Sequence, residues 1–293
     1  MPRLIRALAD IAAPYDALYC DLWGCLHDGL RPFPEAVAAL QAFRDGGGAV
    51  VLLTNSPRPS PLVTEQLDHI GVPREAYDIV ASSGDAAQEA MFAGAVGRRV
   101  WHLGPDKDAG FFDTFAPDVT ASGGIDRVTL DEAEGIVCTG PLDEGNDAPE
   151  DYRPVFLKAK TRGLKLLCAN PDLVVDKGER RIYCAGALAA LYEEMGGESL
   201  YYGKPHPPIY DLASRRLEAL TGRRVPADRI LAIGDGIATD IQGAMGEDID
   251  ALFVTGGIAA EETGTAEEPD PKRLRAFLDS HGLSPLYAIA RLR

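Results

Sequence analysis

Tyr19-Cys20-Asp21-Leu22-Trp23-Gly24-Cys25-Leu26-His27-Asp28-Gly29 is the stretch from which the fold of this chain can be read. An apolar run, Ala17 to Cys20, ends in a carboxylate, and glycines follow at 24 and 29. The pattern is a buried strand delivering Asp21 into a tight turn at its C-terminal end. In open α/β sheets that end is where ligands bind. Far along the chain, Arg229-Ile230-Leu231-Ala232-Ile233-Gly234 repeats the arrangement and delivers Asp235, with Asp240 following. Two strand-end carboxylate sites so far apart in sequence suggest one shared hard-cation site.

Strand and helix patterns alternate on either side of these anchors, which predicts an α/β fold with a mainly parallel sheet. Ala49–Leu53 is a pure apolar strand ending at Thr54-Asn55-Ser56. Pro34–Arg44 and Pro61–Ile70 have helical periodicity and stop at glycines. Ile79–Ala81 is a short strand, and Ser83 or Asp85 is placed to cap the helix that follows. Ile237–Met245 reads as helical and the acidic, Pro-bearing stretch 261–271 as a surface loop. The chemical signals lie before residue 60 and after residue 200, while the middle has an alternation of its own. That suits an insert at 84–183 within a discontinuous core formed by 1–83 and 184–293.

The chain has 293 residues, 46% of them hydrophobic and 25% charged, which is ordinary for a globular protein. Its formal net charge of −16 repels nucleic acid and anionic membranes, so neither is expected as a partner. No apolar run approaches the roughly 20 residues that span a bilayer, and no signal peptide is evident. The five cysteines, at 20, 25, 138, 168 and 184, have no Cys-x-x-Cys spacing and read as reduced core thiols of a cytoplasmic protein. Cys25 stands apart, because it lies in the first loop with His27 nearby and could be a catalytic thiol.

Four polar sets follow apolar runs: Asp21; Thr54-Asn55-Ser56; Lys204; and Asp235 with Asp240. Each alone is an ordinary turn, cap or solvated residue. In a parallel sheet, however, strand C-termini share one edge, and together the four make a phosphoryl-transfer site. Asp21 would attack phosphorus and form an aspartyl phosphate. Asp21 and Asp235 would hold Mg²⁺, which takes oxygen ligands. The Thr54 hydroxyl and the Asn55 backbone N–H would grip phosphate oxygens, and Lys204 would add a fixed positive charge. Arg58, just beyond the phosphate loop, could reach a substrate anion.

With those residues in hand, the chain resembles the haloacid dehalogenase (HAD) superfamily, and within it subclass IIA, the phosphatases of sugar phosphates, nucleotides and pyridoxal phosphate. Asp21, Gly24 and Gly29 match the first motif, Leu53-Thr54-Asn55 the second, Gly203-Lys204-Pro205 the third, and Gly234-Asp235 through Asp240 the fourth. Asn170-Pro171-Asp172 matches an Asn-Pro-Asp that the subclass carries near the end of its cap. The resemblance implies a Rossmann-like parallel-sheet core with an inserted α/β cap of the C2 type. It implies Mg²⁺ on Asp21, Asp235, Asp240 and the Trp23 carbonyl, and a specificity contact from Asn170 and Asp172.

Trp23 departs from the pattern, since phosphatases of the family carry there a second Asp that protonates the leaving oxygen and then activates water. The dehalogenases carry an aromatic residue at this position but need no metal, and the retained Asp235 and Asp240 favour phosphate over halide. His27, Asp28 and His206 are candidates to supply the missing proton. The expected function is hydrolysis of a small phosphorylated metabolite. The alternative is a catalytically weak protein that binds a phospho-ligand as a regulatory module. A receiver domain also uses Asp, Thr and Lys, but lacks a large insert. A homodimer through the cap is compatible with either reading.

Overall fold

The computed structural model describes residues 1–177 and 180–293. The chain packs as two compact units. The first comprises Met1–Thr54, Glu65–Ala81 and Tyr210–Arg293, and the second Asn55–Thr64 and Ser82–Ile209. The second unit is therefore wider than the insert expected at 84–183.

A seven-stranded sheet runs in the order Arg3–Leu4, Tyr287–Ile289, Asp250–Val254, Ile230–Gly234, Ala17–Cys20, Ala49–Thr54, Ile79–Ser82. Pairing is parallel from the first of these strands through Ala49–Thr54. The three strands at its centre are buried throughout, as unbroken apolar runs in a sheet covered on both faces must be. Cys20 is in register with both Leu52 and Ile233. The residues that follow, Asp21, Thr54 and Asp235, therefore emerge at one edge.

The helix Pro34–Asp45 opens with proline at its first position and buries Ala36, Val37 and Leu40 on one face. Toward the C-terminus the helical expectations shift. Ile237–Ile241 is a π-helical turn that leads into the α-helix Gln242–Gly246. The stretch expected as a loop contains a short helix, Ala260–Thr263, and its Pro271 begins the helix Pro271–His281. The edge strand Arg3–Leu4 and its neighbour Tyr287–Ile289 are too short to show a sequence period.

The second unit holds a five-stranded parallel sheet in the order Glu198–Tyr201, Lys165–Cys168, Gly135–Cys138, Arg99–Leu103, Asp126–Arg127. Alternate residues of one strand serve opposite faces. Ile136 and Cys138 pack with Phe156, Leu188 and Tyr192. Val137, between them, packs with Met91, Phe92 and Phe111. Glu198–Tyr201 pairs with Lys165–Cys168, so this sheet continues past residue 183. The strands Val174–Lys177 and Arg180–Tyr183 form a separate antiparallel pair. Ser82, rather than Ser83 or Asp85, caps the helix Ser83–Phe92, its hydroxyl accepting the Asp85 N–H at 3.1 Å. Asp85 turns its carboxylate back to accept the Ser60 N–H at 2.9 Å. Among the described residues, no helix is long and apolar enough to cross a membrane.

Candidate active site

Asp21 leaves its strand with its backbone N–H still bonded to the Ile233 carbonyl, at 2.8 Å, so the first carboxylate is fixed by the strand that delivers the second. The loop beyond folds back on itself. Leu26 and His27 donate their N–H groups to the Leu22 carbonyl, and Gly24 donates to His27. Gly24 has φ +71°, a left-handed conformation that glycine adopts without strain. Its missing side chain has a second purpose, because a Cβ there would fall 2.0 Å from Asp235 Oδ2. On the other side a Cβ on Gly257 would fall 1.9 Å from the same atom. Asp235 is thus held between two glycines, and its Oδ2 accepts the Ile258 N–H at 2.8 Å. Sequence reasoning does not find this second wall. Its signal is the pair Gly256-Gly257 directly after an apolar strand.

One carboxylate oxygen of Asp21, one of Asp235 and the Cys25 sulfur all lie within 4.8 Å of one another, and all three residues are buried. Asp240 is not part of that group. It is buried too, but its carboxylate accepts the Gly236 N–H at 3.1 Å and fills the space beside Gly234. Burial, reinforced by Asp235 and then Asp21, raises the Cys25 thiol well above its ordinary range. Two buried carboxylates at this spacing form an oxygen donor set for a hard divalent cation, so the residues fit Mg²⁺. Cys25 thus lacks the lowered pKa that marks a catalytic thiol.

Trp23 is half-buried and fixed in place. Its ring meets His27 edge-on at 5.2 Å and fills the space a side chain on Gly29 would take, 2.3 Å from where that Cβ would lie. Gly29, at φ +85°, is thus required for both its backbone and its neighbour. His27 is buried, and its Nδ1 accepts the Gly29 N–H at 3.0 Å. Burial pushes its pKa down to about 4, with Asp28 opposing. His27 is thus a neutral brace for the loop with Nδ1 already engaged, and it is a poor replacement for the missing acid. Asp28 is exposed and accepts the N–H groups of Leu30 and Arg31 at 2.8 and 2.7 Å, capping a turn. His206 stacks on Tyr201, the rings 4.9 Å apart.

Thr54 is buried at the end of its strand. In the second unit, Asn55 is bonded to Lys204 from both sides. Its Oδ1 accepts the Lys204 N–H at 2.7 Å, and its Nδ2 donates to the Lys204 carbonyl at 3.0 Å. The same Nδ2 donates to Asp172 at 2.8 Å, and Asn170 Oδ1 accepts the Asp172 N–H at 3.0 Å. Asn170-Pro171-Asp172 is therefore joined to Lys204 through Asn55. Close approach explains Gly203, where a Cβ would fall 2.5 Å from Asn55 Oδ1. Ser56 Oγ accepts the Arg58 N–H at 3.2 Å, and the Arg58 guanidinium lies 4.0 Å from buried Asp108.

A parallel α/β sheet whose adjacent central strands end in buried carboxylates places an acidic site at its open edge. Residues 18–115 match a family model described as haloacid dehalogenase-like hydrolase, and residues 201–279 one described as HAD-hydrolase-like. Among solved structures, a hydrolase of the haloacid dehalogenase-like family from Brucella suis 1330 is 38% identical, with a TM-score of 0.85 and all of both chains covered. The chain belongs to the haloacid dehalogenase-like hydrolases, in the subclass IIA that its motifs resemble.

A possible sugar phosphatase from Cytophaga hutchinsonii shares the fold at 20% identity and a TM-score of 0.76, covering 99% of this chain and 98% of that one. A glycerol phosphate phosphatase from Mycobacterium tuberculosis, in complex with magnesium, shares it at 24% identity and a TM-score of 0.64, covering 90% and 74%. No curated protein matches the sequence.

Proposed function

We propose that this hydrolase transfers the phosphoryl group of a small phosphorylated metabolite to Asp21. The observation that carries the reading is the buried Asp21–Asp235 pair on adjacent parallel strands. In it an Asp21 oxygen forms a bond to phosphorus as the ester P–O bond breaks, and water later cleaves the aspartyl phosphate. Mg²⁺, held by Asp21, Asp235 and the Trp23 carbonyl, would neutralise charge at the transferring group. Asp240 orders the turn that carries Asp235. Thr54 and the Asn55 N–H bind phosphate oxygens, and Lys204 supplies positive charge, tethered through Asn55 to the residue following Thr54. Ser56 shapes the turn that presents Arg58 to a substrate anion. Asn170 and Asp172 act through Asn55. Five free, buried thiols suit a reducing, cytoplasmic setting.

Trp23 has no proton to give, and the neighbouring His27 is neutral with Nδ1 engaged. The departing oxygen must therefore carry its charge into solvent. The reading thus favours substrates with good leaving groups, such as acyl or aryl phosphates, over alkyl phosphates. A series of phosphate esters of graded leaving-group acidity, assayed with Mg²⁺ on wild type and Asp21→Asn, tests it. Turnover should rise with leaving-group acidity and vanish in Asp21→Asn, whereas equal turnover in that variant overturns the reading. The fixed Trp23 also favours a second reading, a phospho-ligand-binding regulatory protein, whose signature is tight binding of phosphate compounds without turnover.

A further inference from the structure

The third member of the buried cluster has no part in the reaction above. Cys25 leaves the strand-end loop and places its sulfur within the same 4.8 Å envelope as an oxygen of Asp21 and an oxygen of Asp235. The loop leaves this sulfur little freedom, because it is only 1% exposed and Leu26, the next residue, is anchored to the Leu22 carbonyl at 2.8 Å. We propose that Cys25 makes the magnesium site a mixed oxygen–sulfur site that binds thiophilic divalent ions, Zn²⁺ and Cd²⁺, through Asp21, Asp235 and the Cys25 thiolate.

The geometry suits such an ion. Zinc bonds of about 2.3 Å to sulfur and about 2.0–2.2 Å to oxygen, at the tetrahedral angle, put the two donors roughly 3.6 Å apart. The three donor atoms, all within 4.8 Å of one another, are close enough for side-chain adjustment to close them on one ion. The chemistry discriminates between ions as well. Mg²⁺ is hard, takes oxygen and leaves a thiol protonated. Zn²⁺ and Cd²⁺ favour thiolate, so the sulfur binds the metal and its proton leaves to solvent, with no change of oxidation state. Two anionic oxygens already at the position stabilise the incoming dication. The inference rests on the magnesium-site reading above.

The test uses the full chain and titrates it with Cd²⁺, following the ultraviolet thiolate-to-cadmium charge-transfer band, with Mg²⁺ binding measured separately by calorimetry. Wild type should develop the band to one equivalent, and Mg²⁺ present beforehand should raise the Cd²⁺ concentration needed to reach it. Cys25→Ser should lose the band, keep Mg²⁺ binding, and bind Cd²⁺ about 10- to 100-fold more weakly, at least the loss that follows removal of a supporting residue in a metal site. The Mg²⁺ competition on wild type decides the matter even if that variant folds poorly. If Mg²⁺ binds and no Cd²⁺ band appears, or the band persists in Cys25→Ser, or the Cd²⁺ titration is unmoved by Mg²⁺, the proposal is overturned while the site reading stands. If Mg²⁺ itself does not bind, the site reading fails with it.

Discussion

Asn55 grips Lys204 by both halves of one peptide residue, accepting its N–H at 2.7 Å and donating to its carbonyl at 3.0 Å. Lys204 is itself only 2% exposed, so these contacts hold a buried backbone. Replacing Asn55 by Ala strips both. A buried polar group left without a partner costs about 1–3 kcal/mol. Asn55→Ala should therefore lower the urea midpoint of unfolding and weaken inorganic phosphate binding together. Asn55→Asp should not rescue the stability, because a carboxylate in place of the Nδ2 donor would set negative oxygen against Asp172 and the Lys204 carbonyl.

Gly24→Ala should be more damaging than a small surface change. The left-handed backbone alone costs a non-glycine residue about 1–2 kcal/mol. The added Cβ would also displace the Asp235 carboxylate, 2.0 Å away. The expected result is a lowered Tm with loss of Mg²⁺ binding by calorimetry. Gly257→Ala, whose Cβ would meet the same oxygen, should match it in Mg²⁺ binding.

Trp23→Asp restores the acid and base that the family's phosphatases carry. Such a group contributes about 10²–10⁴-fold. Steady-state turnover of an alkyl phosphate should rise by a factor in that range. In wild type, where no residue at position 23 activates water, an aryl phosphate should give a burst of phenol followed by a slower phase. A variant that gains turnover from an inert wild type would instead favour the binding-protein reading.

His102 predicts an acid-sensitive second unit. Its Nε2 pairs with Thr139 Oγ1 at 2.9 Å. Burial, with Arg127 adding to it and Asp106 opposing, pushes its pKa from 6.5 down to about 4. On acidification the unfolded chain takes up the proton before the folded one. This contribution to stability is therefore full above about pH 6.5 and is lost as pH falls through about 4. The shift sets an upper bound of about 3 kcal/mol, and partial exposure lowers it. Urea unfolding between roughly pH 7.5 and 4.5 should show the loss, and His102→Gln should flatten that part of the slope.

The strand-end carboxylates are legible in the sequence for a physical reason. A fully buried parallel strand has to be an unbroken apolar run, so a charged residue at its end stands out, as Asp21 and Asp235 do. Contacts made across long separations are not legible in this way. Nothing local to Asn55 indicates that its side chain binds Lys204, and the pair Gly256-Gly257 signals a close approach without saying that Asp235 is what approaches. The strand Glu198–Tyr201 is likewise ambiguous, because a short apolar run does not say which sheet it will join. Ser82 displaces Ser83 and Asp85 as the cap because adjacent serines offer two starts, and the backbone at Ser82, still extended, decides between them.

The strand Ala17–Cys20 pairs on one side with Ala49–Thr54 and on the other with Ile230–Gly234. During synthesis the first neighbour emerges early and the second only after the whole of the second unit has left the ribosome. Until then the nucleophile's strand presents an open edge, the kind that invites mispairing. The nascent protein thus holds half of its acidic pair for most of its manufacture. A ribosome stalled before Ile230 would release a chain carrying Asp21 but none of the partner that makes it chemistry.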